Sequence, residues 1–265
     1  MNKILTIAGS DPSGGAGIQA DLKTFSALEC YGMAIISALT AQSTQGVTGV
    51  LPVPTEFIEK QYHTLMDDID VDAVKMGALV NSEIITTVAK LLRERPIPFV
   101  VLDTVMIAKG GHPLLVEEAV AAIRDQLLPV ADIITPNLPE AATLLGVKEA
   151  KNLEEMAEQG RALLSLGPKA VLMKGGHLES EESPDLLVMA NEELLFSGAR
   201  VTTKNTHGTG CTLSAAIAAL YPAHGVKNGV RLAKDYIEGA IRHADRLNIG
   251  KGIGPTHHFY RWWGC

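Results

Sequence analysis

Cysteine is scarce in this 265-residue chain and aromatic residues make up only 5% of it. The three cysteines, Cys30, Cys211 and Cys265, follow no regular spacing, which excludes a disulfide framework and a zinc signature. No apolar run approaches the ~20 residues that a membrane-spanning helix needs. The longest, 34–41 and 213–220, fall far short, and the apolar stretch after Lys3 is too brief for a signal-peptide core. A soluble, cytoplasmic protein with no membrane partner is therefore expected. Positive charge is short as well: 23 Lys and Arg against 30 Asp and Glu leave a net charge of −7, unlike the basic face of a nucleic-acid binder. Phosphate ligands stay possible, because local donors can hold an anion inside an acidic protein. No Gly-x-x-x-x-Gly-Lys-Ser/Thr sequence occurs, so any phosphate is held by another device. Repeats, low-complexity tracts and Pro/Ser-rich linkers are missing too, and residues 1–265 read as a single domain.

What is present is alternation. Aliphatic runs at 4–8, 34–39, 73–76, 99–102, 133–134 and 170–173 are apolar at nearly every position, as strands buried on both faces would be. Helix-like spacing falls between them, at 18–28, 55–68, 82–95, 113–128 and 153–166. Strand and helix alternating in this way predict an α/β fold, a mainly parallel sheet flanked by helices. Towards the end, 186–190 and 194–196 with 200–203 read as antiparallel strands, and long helices are expected over 209–220 and 230–247. The acidic run 179–185 reads as a solvated loop. Open α/β sheets bind ligands beyond the carboxyl ends of their strands, so the polar residues after each aliphatic run are the functional candidates.

After the first run comes Gly9-Ser-Asp-Pro-Ser-Gly-Gly-Ala-Gly17. Its Gly15-x-Gly17-x-x-Ala20 matches a relaxed dinucleotide fingerprint, but Asp11, Pro12 and Ser13 separate strand from glycines. No acidic residue follows Gln42 to hold a ribose. The strongest signal is Thr203-Lys-Asn-Thr-His-Gly-Thr-Gly-Cys-Thr212, just before an apolar helix. A Gly-Thr-Gly turn opening a helix gathers backbone N–H groups and dipole at one spot, which suits a transferring phosphoryl group. It would equally fit a buried helix closely against a sheet. Cys211, in the first helical turn, is expected to have a pKa below the ordinary ~8.5 and to be able to take a proton from a substrate hydroxyl. Its other reading is a small buried hydrophobe. Asn137 and Glu140, three apart at a helix start, suit magnesium or, alternatively, a capping box. Lys174, at a strand end before two glycines, suits a phosphate or plain solvent, and Asp103 would face the same place.

These residues resemble the ribokinase-like superfamily, whose members carry an Asn-x-x-Glu segment and a late Gly-x-Gly anion hole. The closest similarity is to the hydroxymethylpyrimidine/phosphomethylpyrimidine kinases of thiamine biosynthesis. It runs from Ala8-Gly-Ser-Asp-Pro-Ser-Gly-Gly-Ala-Gly-Ile-Gln-Ala-Asp21 through Thr135-Pro-Asn-Leu-Pro-Glu140 and Asn205-Thr-His-Gly-Thr-Gly-Cys211 to His257-His258-Phe259. The resemblance implies a three-layer α/β/α kinase that uses ATP and Mg2+. It would phosphorylate 4-amino-5-hydroxymethyl-2-methylpyrimidine to the monophosphate and then to the diphosphate. It also implies that Gln42 hydrogen-bonds the aminopyrimidine, with Asp21 and Gly9 at the same pocket and Val105 as an apolar wall. Gly208, Gly210 and Cys211 would form the anion hole, joined by Lys174 in catalysis. Asn137, Lys174, Thr209 and Asp103 would serve the nucleotide, and Glu140 with Asp103 the metal. A homodimer is implied too. Sugar kinases of the superfamily have an aspartate base where this chain has Cys211; the pyrimidine-kinase branch shares the cysteine. Competing readings are a pyridoxal/pyridoxine kinase, a non-catalytic ligand sensor on a kinase fold, and the dinucleotide enzyme. His177, His207, His257 and His258 are read as structural or pocket-rim residues, and Trp262-Trp263 as packing the tail.

Overall fold

The structure, a computed structural model, describes residues 1–106, 117–176, 178 and 182–264. The first part of the helix expected over 113–128, residues 179–181 of the acidic run, His177 and Cys265 lie outside the described residues. In chain order the elements are β1 (Lys3–Ser10), α1 (Gly17–Ala27), β2 (Tyr31–Ser43), β3 (Gly46–Pro52), α2 (Thr55–Met66), β4 (Ala73–Met76), α3 (Ser82–Glu94) and β5 (Val100–Leu102). They continue with α4 (Glu117–Ala122), β6 (Ile133–Ile134), α5 (Leu138–Leu145), α6 (Leu153–Leu164), β7 (Ala170–Lys174), β8 (Asp185–Met189), β9 (Glu192–Phe196) and α7 (Thr209–Arg242). A π-turn and a 3-10 turn, Ile123–Leu127 and Leu128–Val130, prolong α4 towards β6.

The strands form one nine-stranded sheet in the order β3-β2-β1-β4-β5-β6-β7-β8-β9. Pairing is parallel from β2 through β7, and antiparallel for β2–β3, β7–β8 and β8–β9. The continuous apolar runs are explained by helices on both faces. Ile4, Val101 and Ile133 pack under α1 and α7, while Leu5, Val100, Leu102 and Ile134 pack under the opposite helical layer. β1 lies between β2 and β4, so the winding reverses there. At such a switch point the connections diverge and leave a crevice above the strand ends.

Three expectations are corrected. Residues 200–203 form no strand; Arg200 donates to the Gly176 and Leu178 carbonyls and ties that segment to the loop after β7. The two long helices are both present within Thr209–Arg242, separated by the non-helical Gly225 (φ 68°, ψ 179°), but the second ends at Arg242, short of residue 247. β3 was not expected at all. Pairing antiparallel to β2, it lies at the sheet edge with Val50 and Leu51 exposed, so it lacks the buried face that would have marked it.

Candidate active site

A cleft of about 600 Å³ opens over the carboxyl ends of the strands. Gly9 reaches it from β1, Gln42 from β2, Asp103 and Val105 from just beyond β5, and Lys174 from the end of β7. Asn137 and Glu140 enter from the start of α5, and Gly208, Thr209, Gly210 and Cys211 from the start of α7. Of the residues expected at the site from sequence, Asp21 alone is not in this wall.

Two glycine turns meet above the switch point. Asp11 organises the first: its Oδ1 accepts from the Ser13 N–H and hydroxyl, and its Oδ2 from the Ala16 N–H. The same Oδ2 lies 2.8 Å from His207 Nε2 in the second turn, so the imidazole carries its proton on that nitrogen. Burial would raise the Asp11 pKa, but the bonds from His207 and Ser13 outweigh it and hold the carboxyl below its ordinary range. The Gln42 carboxamide lies 3.3 Å from the same histidine nitrogen. Gly208 is left-handed (φ 77°), and a Cβ there would overlap the Gly15 carbonyl oxygen. That approach demands glycine. Because Gly208 is the N-cap of α7, no side chain caps the helix, and Gly208, Thr209, Gly210 and Cys211 border the cleft.

Lys174 stands opposite. Its Nζ is 3.4 Å from Asp103 Oδ1 and 3.8 Å from Glu140 Oε2. Burial alone would lower the Lys174 pKa; the two carboxylates outweigh it and keep the ammonium charged. Asn137 and Glu140 do form the capping box: the Asn137 side chain accepts from the Glu140 N–H and the Glu140 carboxylate from the Asn137 N–H. Glu140 also accepts from the Thr104 hydroxyl at 3.1 Å, and burial pushes its pKa up despite Lys174. The capping reading thus holds for this pair, while Glu140 still borders the cleft. Asp103 is different. Its Oδ2 is buried and has no hydrogen-bond partner among the described residues. A buried carboxylate oxygen with a free lone pair, beside a second carboxylate, fits a hard cation that takes few protein ligands and keeps its waters. Among the described residues no group of three or more His, Cys, Asp or Glu is placed to hold a metal ion by itself.

Two expectations about side chains are overturned. Cys211 lies at the dipole of α7 and receives a hydrogen bond from the Gly17 N–H, yet burial dominates and pushes its thiol up to about 11. At neutral pH it is a thiol. Asp21 is fully buried beneath the cleft, where both carboxylate oxygens hold Lys75 Nζ at 2.9 Å and Oδ2 also accepts from Thr6 Oγ1. Fully buried and absent from the cleft wall, it does not touch the cleft directly.

Lys75 itself was missed. It lines the cleft from β4 although its side chain is wholly buried, and a lone lysine inside Ala73-Val-Lys-Met76 was the available signal. Also missed were Asp185 and Lys234, a largely buried pair at 2.5 Å that borders the cleft along with Ile237 and Ile241. His207 belongs to the wall, as the rim reading expected. His258 is buried against the Thr212 hydroxyl, and burial pushes its pKa down to about 3.

Fold and site together define a ribokinase-like small-molecule kinase: a switch-point cleft, an uncapped glycine-opened helix and a lysine between two carboxylates. The chain matches the family described as phosphomethylpyrimidine kinase over residues 11–257, and it belongs to that family. It is 54% identical over 260 residues to the hydroxymethylpyrimidine/phosphomethylpyrimidine kinase of Escherichia coli K12, with 98% of each chain covered. Among solved structures it is similar to a phosphomethylpyrimidine kinase from Clostridium difficile 630 (44% identity, 91% and 100% of the two chains covered, TM-score 0.82). It is also similar to a pyridoxal kinase from Staphylococcus aureus in complex with AMP-PCP and pyridoxal (32% identity, 99% and 95% covered, TM-score 0.90). The fold class implied by the sequence resemblance is borne out.

Proposed function

We propose that the chain transfers the γ-phosphoryl group of ATP to the hydroxymethyl oxygen of 4-amino-5-hydroxymethyl-2-methylpyrimidine, and then phosphorylates the monophosphate, as thiamine biosynthesis requires. One observation carries this: the family match spans the very turns that line the cleft. In each step an oxygen of the acceptor bonds to the γ-phosphorus and the bond from that phosphorus to the ADP oxygen breaks. Gln42 hydrogen-bonds the aminopyrimidine against Gly9 and the apolar wall of Val105. Lys174 and the N–H groups of Gly208, Gly210 and Cys211 face the charge on the moving phosphoryl group. Asn137, Thr209 and Lys174 hold nucleotide phosphates. Asp103 and Glu140 would hold magnesium, which when bound supplies further positive charge to phosphate oxygens. Asp185, Lys234, Ile237 and Ile241 leave room for the rest of the nucleotide.

This reading treats residues 1–265 as one cytoplasmic kinase domain, supported by a single sheet with strands from Lys3 to Phe196. No helix of the described residues is long and apolar enough to cross a membrane. A homodimer is part of the proposal; exposed Leu39, Val50 and Leu51 on the β2–β3 edge support it. The deciding experiment is product analysis with the pyrimidine alcohol, ATP and magnesium. Monophosphate followed by diphosphate is the expected result, and faster turnover of pyridoxine would overturn the substrate.

Cys211 is the proton acceptor in the first step of this scheme. A thiol held near 11 is protonated through the neutral range, and its thiolate fraction grows tenfold per pH unit below that value. The rate on the alcohol should therefore climb without a plateau from pH 7 to 9. The monophosphate attacks with an oxygen that is already anionic, so its rate should not climb in this way. Cys211→Ala should flatten the first profile and spare the second; equal losses on both substrates would sink the assignment.

A further inference from the structure

Lys75 is a charge that the fold itself does not require. It occupies a central strand otherwise made of Ala73, Val74 and Met76, with 0% exposure, and its only ion-pair partner among the described residues is Asp21. A buried ion pair of this kind adds little net stability, and neutral side chains of similar volume often serve a core equally well. The geometry is also incomplete. An ammonium has three N–H donors. Asp21 accepts two of them, at 2.9 Å to Oδ1 and 2.9 Å to Oδ2, and no acceptor in the described residues takes the third. Leaving a buried donor without a partner is unfavourable unless a ligand supplies one.

The surroundings point the same way. Lys75 lies in the wall of the cleft, together with Cys211 and Asp103. Lys75 is also the main opposite charge acting on Cys211, so the two groups are neighbours. At Gly77 an added Cβ would come within 2.9 Å of both Lys75 Nζ and Ala8 Cβ, so the ammonium lies where it does only beside a residue without a side chain. Thr6 and Lys75 together hold Asp21 in one rotamer, and this fixes the ammonium in turn.

We infer that Lys75, anchored by Asp21, donates its third N–H to the hydroxymethyl oxygen of the substrate beside Cys211. This rests on the substrate reading above and deepens it. The bond fixes the nucleophilic oxygen and leaves its lone pair turned towards the anion hole. A permanent positive charge at that oxygen also makes the hydroxyl easier to deprotonate. Asp21 thereby influences the substrate without touching it, as a positioning residue.

The experiment compares binding of two ligands, the pyrimidine alcohol and 4-amino-2,5-dimethylpyrimidine, which lacks only the hydroxyl. The proteins are the wild type and the neutral double variant Asp21→Asn/Lys75→Met, which removes both buried charges together. The wild type should prefer the alcohol by about tenfold or more, the range of a hydrogen bond to a charged group. In the double variant, folded by thermal melt, that preference should fall about tenfold. A folded variant that keeps the wild-type preference overturns the inference. If the variant does not fold, the lysine ammonium NMR signals of the wild type decide: a Lys75 shift with the alcohol but not with the dimethyl compound supports the bond, and equal or absent shifts overturn it. Wild-type turnover of the alcohol is measured alongside. Its absence overturns the substrate reading and this inference with it; turnover with an unchanged preference overturns this inference alone.

Discussion

Gly208→Ala is expected to abolish activity and to lower stability far more than the same change at Gly146. Both glycines are left-handed, with φ 77° and 67°. An alanine in that conformation costs roughly 1–2 kcal/mol. At Gly146, the C-cap of α5, a Cβ would meet nothing within 4 Å, so that strain is the whole effect and turnover should stay at the wild-type level. At Gly208 the Cβ would overlap the Gly15 carbonyl oxygen, which is backbone and cannot rotate away. One glycine turn must then retreat from the other. The retreat would disturb the Asp11–His207 bond and swing the first N–H groups of α7 off the phosphoryl position. Losing one well-aimed N–H donor costs about 10²–10³ in kcat, and here several move together. We therefore expect at least a 100-fold fall in kcat, with a destabilisation of about 4 kcal/mol or more. Steady-state kinetics and thermal melts on both variants check this; comparable losses at Gly146 and Gly208 would show that backbone strain alone is responsible.

The two turns could be located from sequence because the chemistry there is local. Gly-Thr-Gly before an apolar helix, Asn-x-x-Glu after a strand, and a lysine at a strand end each announce their place within a few residues. The parallel sheet was legible for a similar reason, since strands covered on both faces show apolar runs that need no partner to be recognised. What escaped depended on distant parts of the chain. Asp21 sits on the sheet-facing side of α1, and its partner Lys75 lies 54 residues later; nothing local says that the pair is buried below the cleft and not in its wall. Cys211 was placed correctly at a helix start, but its dipole was weighed without the burial that outweighs it. β3 is an exposed edge strand, so the buried–exposed alternation that marks a half-buried strand never develops. Residues 200–203 have strand-like composition, yet the Arg200 guanidinium satisfies loop carbonyls and no sheet pairing forms there.

Lys174→Met should lower kcat by about 10²–10³ on both phosphorylation steps, because both pass the same charge in front of the same ammonium. The substitution also has a structural consequence that can be separated from the catalytic one. Lys174 lies between Asp103 and Glu140, and without it two buried carboxylates face each other. Removing one partner of a buried ion pair commonly costs about 3–5 kcal/mol. Glu140, already raised by burial, loses the charge that opposes that rise and should move further up. The sign follows directly. A carboxyl whose folded pKa lies above its unfolded value binds more protons in the native state, so stability falls as pH rises from the unfolded pKa through the folded one. The melting point of Lys174→Met should therefore drop further below wild type at pH 8 than at pH 5. Adding Glu140→Gln removes the titrating group and should abolish that pH dependence. It cannot restore the missing ammonium and it removes a proposed magnesium ligand, so turnover should stay low in the double variant even where the melt recovers. Recovery of both together would mean that Lys174 serves the fold and not the phosphoryl group.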